Sequence, residues 1–214
     1  MVETIPGAKG RMHDVPLTGF YQDKLAPALD ERLALIEKAI PESASSVLDI
    51  GCNLGDITAH FARRGMWSIG LDSSRQLIDV ALERQRGVVD CGLMVSAVTP
   101  ANVDRLPTFD VILLLSVHHH WLGTHGPDVA GAMLRTIVAK ARDLVVFESA
   151  SRNVRFGTFP PGFTDNDEIS VTAYHEKYLR AFVGDVCDIE MLGKTPCVGA
   201  REPYRWSWAI RPRR

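Results

Sequence analysis

A chain of 214 residues with 46% hydrophobic and 23% charged side chains has ordinary globular composition, which excludes a disordered, collagen-like or coiled-coil polymer. That length suits one domain with elaborations, and a formal net charge of −2 supplies no general field for nucleic acid. The longest apolar run, residues 111–115, is far short of the roughly 20 residues of a membrane helix, and the N-terminus lacks an export signal, so a cytoplasmic location is expected.

Residues 1–20 contain Pro6, Gly7, Gly10, Pro16 and Gly19 and no hydrophobic period, which predicts a flexible leader or flap ahead of one domain at 21–214. Over 23–40, Leu25, Leu29, Leu33, Ile36 and Ile40 recur at steps of three and four, and the helix so predicted stops at Pro41. A short apolar strand follows at 46–50, then a turn at Gly51 and a helical pattern through Ile57 and Phe61. A second strand at 67–71 ends at Asp72, where Ser73 or Ser74 can cap the helix carrying Leu77, Ile78 and Ala81. A weak third strand is expected at 93–98 and a strong fourth at 109–117, apolar on both faces as a buried parallel strand should be. A helix from Pro127 to Lys140, a fifth strand at 144–147, a helix at 171–183 and two late strands at 186–192 and 204–210 complete the chain. The four cysteines form no C-x-x-C pair and read as buried hydrophobes.

Repeated strand–helix alternation gives a doubly wound α/β fold, here a mostly parallel seven-stranded sheet with helices on both faces. Such sheets bind ligands at the carboxyl ends of their strands, near the point where strand order reverses.

The run from Val47 to Asp56 is a strand, a glycine turn and a helix start, and its acidic Asp49 can accept a hydrogen bond from a cation. Asp72, about 20 residues beyond Gly51, is placed to hold ribose hydroxyls. The third glycine of a dinucleotide fingerprint is missing, and Asp56 at the helix start would repel a pyrophosphate. A phosphate-free cofactor with an adenosine and an ammonium group fits better. Gly51-Cys52-Asn53-Leu54-Gly55 together with Asp72 resembles the class I S-adenosylmethionine-dependent methyltransferases. The resemblance implies that Asp49, Gly51, Asn53 and Gly55 surround the methionine moiety, that Asp72 holds the ribose, and that Ser73 lies beside the adenine. With no acidic residue in the loop at 96–99, backbone groups of Ala97 or Val98 would serve the adenine, and Ser116 ends the fourth strand beside the cofactor.

Four of the seven histidines, His118, His119, His120 and His125, follow that fourth strand. Imidazole can take a proton near neutral pH, and His118 and His120, on one side of an extended segment, can hold a divalent ion such as Mg²⁺ with Glu148. Glu148 has three readings: it orients a base, ligates a metal or caps a helix. The Ser116-Val117-x-His-His run followed by His125-Gly126, with Phe147-Glu148, resembles methyltransferases that cap bacterial polysaccharides at a sugar phosphate. The turn from Asp49 to Gly55 and the strand from Phe109 to Val117 resemble, more distantly, RNA 5′-phosphate methyl-capping enzymes, which lack the histidine cluster. In the loop at 149–165, Arg152 and Arg155 can grip phosphate or sugar hydroxyls. The expectation is an S-adenosylmethionine-dependent O-methyltransferase for a saccharide or other hydrophilic hydroxyl or phosphate oxygen. An RNA-end methyltransferase and a silent cofactor-binding protein are the alternatives, and self-association stays open.

Overall fold

The computed structural model describes residues 29–149, 168–196 and 204–214. Its elements run α1 (Leu29–Ala39), β1 (Ser46–Ile50), α2 (Asp56–Arg63), β2 (Trp67–Asp72), α3 (Arg75–Arg84) and β3 (Cys91–Val95). A short 3₁₀ turn at Val103–Arg105 precedes β4 (Phe109–Leu115), α4 (His118–His125), α5 (Pro127–Lys140) and β5 (Ala141–Glu148). The chain closes with α6 (Glu168–Val183), β6 (Cys187–Pro196) and β7 (Tyr204–Pro212). The expected leader at 1–20 lies outside the described residues.

The seven strands form one sheet in the order β3-β2-β1-β4-β5-β7-β6. Neighbouring strands from β3 through β5 pair in parallel, and β7 runs antiparallel to both β5 and β6. β1 and β4 are buried at every position, as central parallel strands are, including their polar Ser46, Asp49 and Asp110. Side chains alternate between two cores. Ile112, Leu114, Phe147 and Trp208 pack with α5 and α6, whereas Val111, Leu113, Val146 and Ala209 pack with Leu33 and Ile36 of α1 and Phe61 of α2. Alternation along β5 therefore turns Glu148, after Phe147, towards α1.

Chain order reverses between β1 and β4, so the crevice at their carboxyl ends is the place this architecture offers a ligand. Three local expectations need correction. β3 spans Cys91–Val95 and not 93–98, and β4 ends at Leu115, because Ser116 adopts a left-handed backbone (φ 58°) that breaks the strand. The histidine segment, expected as an extended loop, is a helix. Buried His118, Trp121 and Leu122 recur at steps of three and four, and Gly126 (φ 79°) ends it.

Candidate active site

The turn after β1 is shaped by residues that tolerate unusual backbone. Gly51 (φ 79°) is packed so closely that an added Cβ would lie 2.2 Å from Val117 Cγ2. Asn53 (φ 53°) and Gly55 (φ 71°) continue the turn into α2. The backbone N–H groups of Gly51 and Cys52 both donate to the Leu71 carbonyl, at 2.7 and 3.0 Å, which ties the turn to the end of β2. There the Asp72 carboxylate accepts from Asn53 N–H at 3.0 Å and from Ser74 N–H at 2.9 Å. Asp72 stays half-buried, and its carboxylate keeps acceptor capacity beyond these two bonds. Ser74, not Ser73, caps α3 by accepting from Leu77 N–H, and Ser73 is left exposed beside Asp72.

Asp49 sits at 3% exposure beneath this turn and accepts a 2.7 Å hydrogen bond from Thr58 Oγ1. Burial raises its pKa from 3.8 to about 6, against the opposing pull of Thr58 and Arg32 and with a further push from Asp72. A cation brought to this carboxylate would favour its charged form. After β3, Val98 is buried in the core, exposed Ala97 accepts from Asn102 Nδ2 through its carbonyl at 2.9 Å, and Ser96 N–H donates to the Asp72 carbonyl.

The histidines part company on α4. His118 is 3% exposed and wedged among Trp121, Phe147 and Tyr178. Its Nε2 lies 3.3 Å from the Ala130 carbonyl and 3.2 Å from the Tyr178 hydroxyl, which itself donates to the Pro127 carbonyl at 3.0 Å. That pattern assigns the proton to Nε2 and makes His118 a donor inside the α5–α6 core. Burial lowers its pKa to about 4. His119 and His120 lie with ring centroids 4.0 Å apart. Burial lowers the pKa of His119 to about 2, aided by the neighbouring charges of His120, Arg205 and His118. For His120, burial lowers the pKa and the Asp72 carboxylate opposes it. Both rings are neutral at physiological pH. His125 ends α4, seven residues or ~10 Å along the helix from His118, away from this group.

Glu148, fully buried at the end of β5, is clamped. Arg32 on α1 donates to it bidentately, Nε to Oε2 and Nη2 to Oε1, both at 2.8 Å. Ser116 Oγ donates to Oε1 and accepts from Arg205 Nη1, which also lies 3.4 Å from Oε1. Burial by itself would raise the carboxyl pKa, but Arg32 and Arg205, with the hydrogen bonds, hold it below the usual carboxylate range. This corrects the metal expectation. Glu148 is committed to two guanidiniums, His118 lies in the core on the opposite face of the sheet, and His118 and His120 stand on a helix, where a two-residue step turns side chains roughly 200° apart. Among the described residues no three His, Cys, Asp or Glu side chains gather to hold an ion, so the residues present do not fit one.

The fold thus brings together Asp49, Gly51, Asn53, Gly55, Asp72, Ser73, Ser116, His119, His120 and Glu148 along one edge. Arg152 and Arg155 lie outside the described residues. Arg32, Arg205 and Thr58 escaped the sequence reading. Arg32 carried a signal, since it falls on the inward stripe of α1, three residues after Leu29 and four before Ile36. Arg205 and Thr58 carried none that a single sequence makes legible.

Residues 48–145 match the family described as a methyltransferase domain. No curated protein matches the chain in sequence. Among solved structures, the bifunctional kinase-methyltransferase WbdD is similar at a TM-score of 0.66 and 20% identity, over 85% of this chain and 39% of that one. This chain therefore spans well under half the length of that protein. The magnesium protoporphyrin IX methyltransferase ChlM from Synechocystis PCC 6803, solved with bound SAM, is similar at a TM-score of 0.59 and 18% identity, over 95% of this chain and 88% of that one. The N-terminal domain of EvdMO1 with SAH bound gives a TM-score of 0.55 and 17% identity, over 86% and 80% of the two chains. These likenesses are ones of fold, a seven-stranded methyltransferase sheet with helices on both faces. Among the described residues no helix is long and apolar enough to cross a membrane.

Proposed function

We propose that this chain, whose residues 48–145 match a methyltransferase-domain family, is a class I S-adenosylmethionine-dependent methyltransferase that methylates an oxygen of a saccharide or other hydrophilic small molecule carrying a hydroxyl or phosphate group. S-adenosylmethionine is the cofactor expected of the domain, and the residues suit it: Asp72 offers acceptors for a diol, Asp49 a buried carboxylate for a cation, and Gly51 a turn that leaves no room for a side chain. The cofactor supplies an electrophilic methyl group on a sulfonium. The protein's part is to hold the acceptor in line and to take its proton.

The observation that carries the oxygen-acceptor reading is the polar set at the carboxyl end of β4, where the rings of His119 and His120 lie with centroids 4.0 Å apart and Arg205 donates to the Ser116 hydroxyl. Burial that lowers the pKa of His119 to about 2 makes it a poor proton acceptor, so His120 is the base in this reading, and the bordering Ser116 and Arg205 favour an oxygen-rich acceptor over an apolar one. The test is transfer of labelled methyl from S-adenosylmethionine to a panel of sugars and sugar phosphates. His120→Ala should lower turnover by about 10²–10⁴ with cofactor binding intact. Parental turnover in His120→Ala would sink the assignment of a histidine base. Chelator treatment should leave the rate unchanged.

A further inference from the structure

The Glu148 clamp reaches further than the ion pair it makes. Ser116 is a non-glycine residue in the left-handed region, a conformation that persists where surroundings hold it. Here they hold it from three sides: its N–H donates to the Glu148 carbonyl at 3.2 Å, its hydroxyl donates to the Glu148 carboxylate, and Arg205 donates to that hydroxyl. The next residue, Val117, packs where a Gly51 side chain would be. Gly51 is bonded to the end of β2, and Asn53 to Asp72. A continuous set of contacts therefore runs from Arg32 on α1, through Glu148 and Ser116, to the turn and carboxylate of the cofactor site.

We infer that Arg32 and Arg205 are positioning residues: by clamping Glu148 they fix the Ser116–Val117 bend against Gly51, and so hold the cofactor turn in its binding shape. Neither arginine needs to touch the cofactor. Glu148 is fully buried and charged, so removing one guanidinium leaves a carboxylate short of compensation, which admits water or a proton and loosens its hold on Ser116. The inference rests on the cofactor reading above.

The experiment is calorimetric titration with S-adenosylhomocysteine, which needs no methyl acceptor, run beside thermal melting of each variant. Arg32→Met should weaken binding by about 5- to 30-fold, and Arg32→Lys should recover part of the loss, since lysine restores the charge without the fork. Glycine adopts the left-handed conformation unaided, so in a Ser116→Gly background the Arg32→Met substitution should have little further effect on affinity. Parental affinity in Arg32→Met at a lowered melting temperature would overturn the inference and leave the clamp a structural ion pair. An equal loss in the Ser116 and Gly backgrounds would overturn the route through the bend. Should Arg32→Met fail to fold, the same cycle with Arg32→Lys decides between these outcomes. Absence of binding by the parent protein would instead refute the cofactor reading.

Discussion

Replacing Asp49 by Asn should stabilise the unliganded protein and weaken its hold on the cofactor, with a pH signature that separates the two effects. Burial raises the Asp49 pKa from 3.8 to about 6 in the folded chain. Between these values the folded state keeps a proton that the unfolded state has released, so stability falls as pH rises through the window. The full difference of about two pKa units corresponds to roughly 3 kcal/mol, present above pH 7 and absent below about pH 4. Asparagine can still accept from Thr58 Oγ1 through its carbonyl oxygen but carries no titrating charge. Urea unfolding of both proteins from pH 4 to 8 should therefore give a stability difference that grows with pH in favour of Asn, whatever constant offset the new amide N–H groups introduce. The same substitution removes the anion proposed to meet the cofactor's ammonium group, and affinity for S-adenosylhomocysteine should fall by about 10- to 100-fold, as expected for a charged hydrogen bond. Binding near pH 6 should also release a fraction of a proton, read as a dependence of calorimetric heat on buffer ionisation enthalpy. A stability difference that stays flat from pH 4 to 8 would refute the buried, titrating carboxylate.

Gly51→Ala places a methyl group 2.2 Å from Val117 Cγ2 at a φ of 79°, so binding of S-adenosylhomocysteine should be lost or reduced by more than tenfold; retained parental affinity would show the turn to be irrelevant to the ligand. His118, whose folded pKa of about 4 lies below its ordinary 6.5, contributes stability that is complete above pH 6.5 and is lost as pH falls towards 4. His118→Leu should flatten that acid limb by up to about 3 kcal/mol in urea unfolding between pH 4 and 7, and an unchanged slope would count against the buried neutral imidazole.

Strand and helix alternation, the apolar β1 and β4, the glycine turn and the placement of Asp72 were all legible in the sequence, because each depends on local period and on turn chemistry within a few residues. The helix over the histidines was legible too, in the spacing of His118, Trp121 and Leu122 before Gly126, but the density of imidazoles drew the reading to an extended metal-binding loop. Tertiary structure alone decided what each of those histidines faces. His118 meets Tyr178, 60 positions away, and becomes part of the core, whereas His120 comes under the influence of Asp72. It also decided the fate of Glu148. A buried carboxylate must be compensated, and its partners arrive from α1, 116 positions earlier, and from β7, 57 positions later. No periodicity couples such distant segments; only the packing of α1 and β7 around the end of β5 turns a carboxylate suited to a metal into the anchor of an arginine clamp.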